Sequence, residues 1–336
     1  MRKHSLLNVA CYGLAIALSC LPGAWSAPYN TTRDGFEKSP RSSVMKRAIT
    51  VDPNTCVGTW RTSVDSAVRE ALDMVNYAIP RFQTLLNNLN SNPVPSIIGM
   101  NNEQRTVFQT YEAFFGQTYF GTDTQANRDK NAAAIVRLNK LISTAQRIQA
   151  ALQNPGSVNL EIYCGDSFLW DTDPTGTISG FGVMEFDSRR WNSHQIGEWV
   201  ALQTCTKNPG MSAYAYHPLS PPFFEESVIV LCLDYMVGWA ARYSAGNTVA
   251  AYHDALPLVT NTYQMDYLWG YLPATLLHEL THARTVMKSD AEILGDQCLR
   301  NNAPAYQWQC IRQLAQENAD FAAANADTFS LFVTGK

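Results

Sequence analysis

The chain has 336 residues, 46% of them hydrophobic, 11% aromatic and 16% charged. That composition excludes a disordered or solvating polypeptide and is enough to bury the core of one large domain or two smaller ones. The formal charge of −4 is unevenly spread: residues 1–47 hold seven Lys/Arg against two acids, and the rest carries 18 basic and 27 acidic side chains, a net −9. A body that acidic repels a phosphate backbone, so no nucleic-acid partner is expected.

The first segment reads as a secretory signal peptide over residues 1–26. Arg2 and Lys3 form a positive start, Leu6 to Leu21 is largely apolar, and Ala24-Trp25-Ser26 offers a small-x-small cleavage site ahead of Ala27. Residues 27–47 come next as a propeptide or linker rich in Ser, Pro, Arg and Lys, ending in the dibasic pair Lys46-Arg47, after which cleavage would release a chain starting at Ala48. The sequon Asn30-Thr31-Thr32 would leave with it. No later apolar run approaches the roughly 18 residues of a membrane span, so the expected product is secreted, extracellular, monomeric and free of membrane. Beyond Cys11 and Cys20, six cysteines remain (Cys56, Cys164, Cys205, Cys232, Cys298 and Cys310), enough for up to three disulfides in an oxidising compartment.

Residues 48–156 are predicted to form a helical N-terminal part. Val64, Val68, Leu72 and Val75 share one helix face, and Ala134, Leu138, Leu141, Ala145 and Ile148 repeat the pattern within 127–152. Pro80, Pro93 and Pro95 are expected to separate the first helix from the next part of the chain. Residues 157–336 change character. Residues 158–164 alternate as a half-buried strand, and the apolar run 227–232 reads as a more buried one. The turn-rich segments 171–176 and 218–222 lie between them as loops. The expected fold class is therefore α/β, with a helix-rich N-terminal part, a small sheet and a helical C-terminal part.

The chemistry appears in residues 272–288. Pro273 suits a first helical turn, and Leu276, Leu280, Ala283 and Met287 form a stripe that would bury one side. His278 and His282 are one turn apart, so both imidazoles face the same way and can grip one zinc ion. Glu279, beside a ligand rather than on the metal, is placed as general base and later general acid in the H-E-x-x-H pattern. A catalytic zinc usually takes three protein ligands. No H-x-x-G-x-x-H continuation is present, which leaves the carboxylates downstream: Asp290 first, with Asp296 and Glu292 behind it.

His278-Glu279-Leu280-Thr281-His282, in a chain with secretory and dibasic signals, resembles the fungal deuterolysin and lysine-specific metalloendopeptidase group, the aspzincins, of which it looks like a divergent member. Asn325-Ala326-Asp327-Thr328-Phe329 resembles that family's Asn-Ala-Asp-x-Tyr-like segment, and Val230-Leu231-Cys232 is similar to a strand ahead of its catalytic helix. The resemblance covers roughly residues 157–336 and implies a zincin-like catalytic part with Zn2+ as cofactor and protein or peptide substrates. The family's Gly-Thr-x-Asp-x-x-Tyr-Gly pattern is not intact. Matching it near Asp290 loses the Tyr, and matching it at Tyr306, the candidate oxyanion donor, puts Ala303 where the Asp belongs.

Of the remaining residues, His194, His217 and His253 read as surface or capping side chains, and Asp327 as a cap or a partner for a zinc-bound His. Tyr263, Tyr267, Trp269 and Tyr271 precede the catalytic helix as core packing or cleft wall. The expected function is a secreted zinc metalloendopeptidase. Its rival is a secreted zinc-binding or host-interacting protein with a weakly active or inactive site, and a third reading is a metal-free structural domain.

Overall fold

The computed structural model describes residues 48–91, 94–119, 124–170, 185–187, 195–196, 205, 208, 210–217, 226–255 and 265–335. The predicted signal and propeptide segments, the two predicted turn-rich loops, Pro93, His194 and Tyr263 lie outside the described residues. Strand β1 (Ala48–Val51) is followed by three helices, α1 (Thr59–Asn90), α2 (Asn102–Phe115) and α3 (Gln125–Gln153), and then by β2 (Asn159–Cys164). Three short strands, β3 (Leu169–Trp170), β4 (Glu185–Asp187) and β5 (Gln195–Ile196), form a small antiparallel sheet. Strands β6 (Ala213–Tyr216) and β7 (Ser227–Leu231) precede helices α4 (Leu233–Ser244) and α5 (Val249–Ala255). A 3-10 turn (Tyr267–Gly270) leads into α6 (Leu272–His282), and α7 (Arg284–Met287), α8 (Gln307–Glu317), α9 (Ala319–Ala322) and α10 (Ala326–Thr334) complete the chain.

The expected α/β class is what the structure has: helices first, a small sheet, then a helical C-terminal part that carries His278 and His282. The main sheet runs β1-β2-β7-β6, parallel except for the antiparallel edge strand β6. Period-two alternation divides its two faces. Leu160, Ile162, Ile229 and Leu231 enter the main core beside the helices, whereas Tyr163, Val228 and Val230 join a second cluster with Phe168, Tyr214 and Tyr216. Burial on both faces is what a largely parallel sheet requires. Disulfides Cys56–Cys164 and Cys205–Cys232 anchor the ends of β2 and β7.

Helix α1 runs straight through Pro80, which does not divide it as the sequence suggested. Pro80 is on the exposed side of α1, as is Asn76, whose carbonyl the missing N–H would have met, so water can serve that group. The opposite face buries Val64, Ala71, Val75, Phe82 and Leu85 against α3 and α6, and this packing outweighs one lost hydrogen bond. A cluster of rings then ties the N-terminal helices to the end of the chain. Phe332 of α10 stacks on Phe82 of α1 at 5.0 Å and meets Phe115 and Phe114 of α2 at 5.1 and 5.3 Å. Among the described residues no helix is long and apolar enough to cross a membrane.

Phe82 is fully buried in this cluster. Phe82→Ala is expected to lower unfolding stability by about 3–5 kcal/mol, the range for emptying a packed aromatic site. Urea unfolding checks this: the midpoint should fall with little change in slope, and a loss under about 1 kcal/mol would mean that the rings do not pack together in this way.

Candidate metal centre

Helix α6 is buried on almost every side, its polar Thr275, Glu279 and Thr281 included, so it is held by burial all round. Its first turn carries Pro273, and Leu272, Leu276, Leu277 and Leu280 are at most 1% exposed. The predicted stripe of Leu276, Leu280, Ala283 and Met287 is buried throughout, but the helix predicted across 272–288 breaks at Ala283, whose ψ of 107° is extended. The reason is competition for backbone partners. The Thr285 N–H, which would have bonded the Thr281 carbonyl, donates instead to Ser227 Oγ of β7 (3.1 Å). The Thr281 carbonyl receives the N–H of Leu294 (3.2 Å). That bond folds the segment after α7 back along the helix. Gly295 N–H then donates to Ala324 O and Ala326 N–H to Gly295 O, both at 3.0 Å, which sets Asp296 beside the C-terminal turn of α6.

His278 and His282 face one another with ring centroids 4.7 Å apart and Nε2 atoms 3.0 Å apart. Each ring is oriented through its other nitrogen: His278 Nδ1 lies 2.6 Å from Asp327 Oδ1, and His282 Nδ1 lies 2.8 Å from the Leu294 carbonyl oxygen. With a proton on each Nδ1, both Nε2 lone pairs are left to converge on one point. Asp296 Oδ1 completes a triangle, 3.5 Å from His278 Nε2 and 3.6 Å from His282 Nε2. A tetrahedral ion with bonds of about 2.0–2.1 Å separates its donors by about 3.3 Å. The three spacings bracket that value. Asp296 Oδ1 and Glu279 Oε2 are buried and accept no hydrogen bond, an expensive arrangement unless a cation or proton meets them. Glu279 Oε1 is 3.9 Å from His278 Nε2, and the donor atoms of His278, Glu279 and His282 all lie within 4.8 Å of one another, close enough to hold a metal ion.

The electrostatics arise from burial set against mutual attraction. Burial works against charge on both imidazoles, but Asp327 and Asp296 outweigh it at His278, which is pushed up to about 10, and Asp296 does so at His282, also raised. Asp296 is held well below the usual carboxylate range because the two imidazoles more than offset its burial. Burial raises Glu279 and Asp327. Tyr306, 45% exposed, interacts with the Asp296 carboxylate, and loss of hydration together with Asp296, Asp327 and Glu279 raises its phenol far above the ordinary value.

The structure thus brings together His278, Glu279, His282, Asp296, Tyr306 and Asp327. It places the other two candidate carboxylates elsewhere: Asp290, 66% exposed, is 3.2 Å from Arg284 Nε, and Glu292 is 3.4 Å from Arg147 Nη2. Trp269 stands edge-on to His278 with centroids 6.1 Å apart, Tyr267 is exposed and Tyr271 is buried. His217 is half-buried, with its pKa lowered by burial and by Arg284, and His253 falls within α5. Sequence reasoning had no means to find the Leu294 carbonyl or the buried Asn325. A backbone atom has no residue-type signature, and Asn325 stood out only through the segment it shares with Asp327.

No protein-family profile matches the chain, and no curated protein sequence matches it. A solved structure described as a zinc peptidase from Grifola frondosa is similar over 83% of this chain and 96% of its own, with a TM-score of 0.39 and 14% identity.

The raised imidazoles give metal-free protein a definite pH response. With His278 near 10 in the folded state against an ordinary value of 6.5, its contribution to stability is full below about pH 6.5 and is lost as pH rises towards 10. The burial-raised Glu279 and Asp327 act in the same direction. The Tm of metal-free protein should therefore fall steadily from about pH 6.5 to 10. A Tm that stays level or climbs over that range in a chelator-treated sample would contradict this arrangement of charges.

Proposed function

We propose that the protein is a secreted zinc metalloendopeptidase. The observation that carries this reading is the triangle of His278 Nε2, His282 Nε2 and Asp296 Oδ1 at 3.0–3.6 Å, flanked by a buried Glu279 oxygen with no partner. We assign His278, His282 and Asp296 as the residues that would hold zinc, with Asp296 in place of the exposed Asp290 and of Glu292. Zinc bound there supplies Lewis acidity, which polarises a scissile carbonyl and makes water easier to deprotonate.

The chain's own groups would do the rest. Glu279, raised by burial above the ordinary carboxylate value, is placed as the base: its Oε2 takes a proton from the attacking water and later returns it to the leaving amine. Tyr306 stays protonated because loss of hydration and three carboxylates disfavour the phenolate, so its hydroxyl is available to donate to the developing oxyanion. Asp327 holds His278 in the tautomer that presents Nε2. Residues 1–26 support export, and the two disulfides are compatible with it.

The alternative, a secreted zinc-binding or host-interacting protein with little or no cleavage, is motivated by the broken Gly-Thr-x-Asp-x-x-Tyr-Gly pattern. Against it, an Asp and a Tyr from separate segments meet at the site.

Casein hydrolysis, with elemental analysis on the same samples, tests both readings. Glu279→Gln should keep about one zinc per chain and lose on the order of 10²–10⁴-fold in kcat. Asp296→Asn should lose the metal, whereas Asp290→Asn should retain wild-type metal content. Undiminished proteolysis by Glu279→Gln would sink the mechanism, and stoichiometric zinc with no cleavage of any peptide would favour the alternative.

A further inference from the structure

Beneath the metal centre lies a side chain that takes no part in binding metal or moving protons. Asn325, at the start of α10, is 0% exposed. Its Oδ1 accepts the backbone N–H of Gln297 (3.4 Å), and its Nδ2 donates to the Ala305 carbonyl (3.2 Å) and to Thr328 Oγ1 (2.9 Å). The Ala305 N–H in turn donates to the Gln297 carbonyl (3.0 Å). These bonds close a ring through three chain segments. Its corners are one residue from Asp296, one from Tyr306 and two from Asp327. The amide can sit only one way round, since Gln297 N–H needs an acceptor and Ala305 C=O a donor.

We propose that Asn325 is a positioning residue that sets Tyr306 against Asp296, holding the third metal ligand and the candidate oxyanion donor as one unit. The inference rests on the peptidase reading and deepens it. Backbone pairing alone fixes part of this geometry: Gly295 is bonded on both sides of Asn325, to Ala324 and Ala326. The Ala305 segment is paired with the segment after Asp296 through the Cys298–Pro304 bridge and the Leu299 N–H to Ala303 O bond (2.8 Å). Among the described residues its hydrogen-bonded tie to α10 is the Asn325 amide, which fixes how that pair sits against the helix. The two arms of the side chain therefore have different effects. The Oδ1 arm supports the Asp296 segment, and the Nδ2 arm supports the segment of Tyr306.

A substitution can separate them. Asn325→Asp keeps the acceptor towards Gln297 but sets an oxygen against the Ala305 carbonyl, while Asn325→Ala removes both arms. The experiment compares wild type, both variants, Tyr306→Phe and the double variant Asn325→Asp/Tyr306→Phe. Its readouts are Co2+ content and visible absorption, kcat and KM separately, and Tm. Asn325→Asp should keep stoichiometric Co2+ with a wild-type spectrum, lower kcat by about 10–100-fold and leave KM within about twofold. The double variant should be no slower than Tyr306→Phe alone, because both remove the same placement. Asn325→Ala should also lose about 10–100-fold in metal affinity.

If Asn325→Asp does not fold, Thr328→Val, which removes only the third bond to the amide, should lower kcat by about fivefold with Co2+ retained and without adding to Tyr306→Phe. Effects that multiply in the double variant, or a lower Tm with unchanged kcat per metal-loaded molecule, would overturn the assignment. Wild-type protein without metal or cleavage would instead overturn the peptidase reading, so the two failures are told apart.

Discussion

The site is built around one electrostatic constraint: three carboxylates and two imidazoles come together at the end of a largely buried helix. Asp296, Glu279 and Asp327 cannot all be charged there without compensation, and burial already pushes Glu279 and Asp327 towards their neutral forms. Without metal, the imidazoles provide that compensation by taking up protons, which is why His278 is raised and Asp296 depressed. A divalent cation can replace those protons and balance the same carboxylates, leaving both Nε2 atoms as ligands. Proton and metal would thus compete for one set of donors.

Much of the scaffold can be understood as service to that set. Ser227 of β7 ends the helix by taking the Thr285 N–H, and this frees the Thr281 carbonyl to bring back Leu294 and, two residues on, Asp296. The same Leu294 supplies the carbonyl that orients His282. Helix α10 contributes Asp327 to His278 from one end and Phe332 to the aromatic cluster from the other. A single nine-residue helix therefore couples the orientation of His278 to the packing of α1 and α2.

What could be read from the sequence was what depends on spacing within one element. His278 and His282 meet because four residues make roughly one helical turn, and Glu279 is placed by the same geometry. The faces of α1 and α3, the alternation in β2 and the continuous apolar run of β7 belong to the same kind of signal. The third carboxylate does not. Distance along the chain favoured Asp290, but which acid returns to the helix depends on the pairing of Leu294 with Thr281 and of Gly295 with α10, and neither is encoded locally. Asp296 and Tyr306 stand ten residues apart, so no short linear pattern with Asp and Tyr three apart could contain both. Pro80 misled for the opposite reason: a local rule about proline was overridden by tertiary packing, at a position where water can satisfy the unmatched carbonyl.

The helical part before the sheet, which no motif explained, can be argued from the same contacts. Helix α1 packs along α6, so the helix with both histidines is buried by residues from the first half of the chain. Arg147 of α3 donates to the Met287 carbonyl and pairs with Glu292, bracketing the turn between His282 and Asp296 at both ends. That turn contains Lys288 in a left-handed conformation (φ 68°), which a non-glycine residue holds only when its surroundings fix it. Arg147 is part of those surroundings. Had the first 100 residues of the body formed a separate module, its contacts would be expected to stop at a linker. Instead they reach the loop that delivers Asp296, and the turn that places it is braced by a helix about 150 residues upstream.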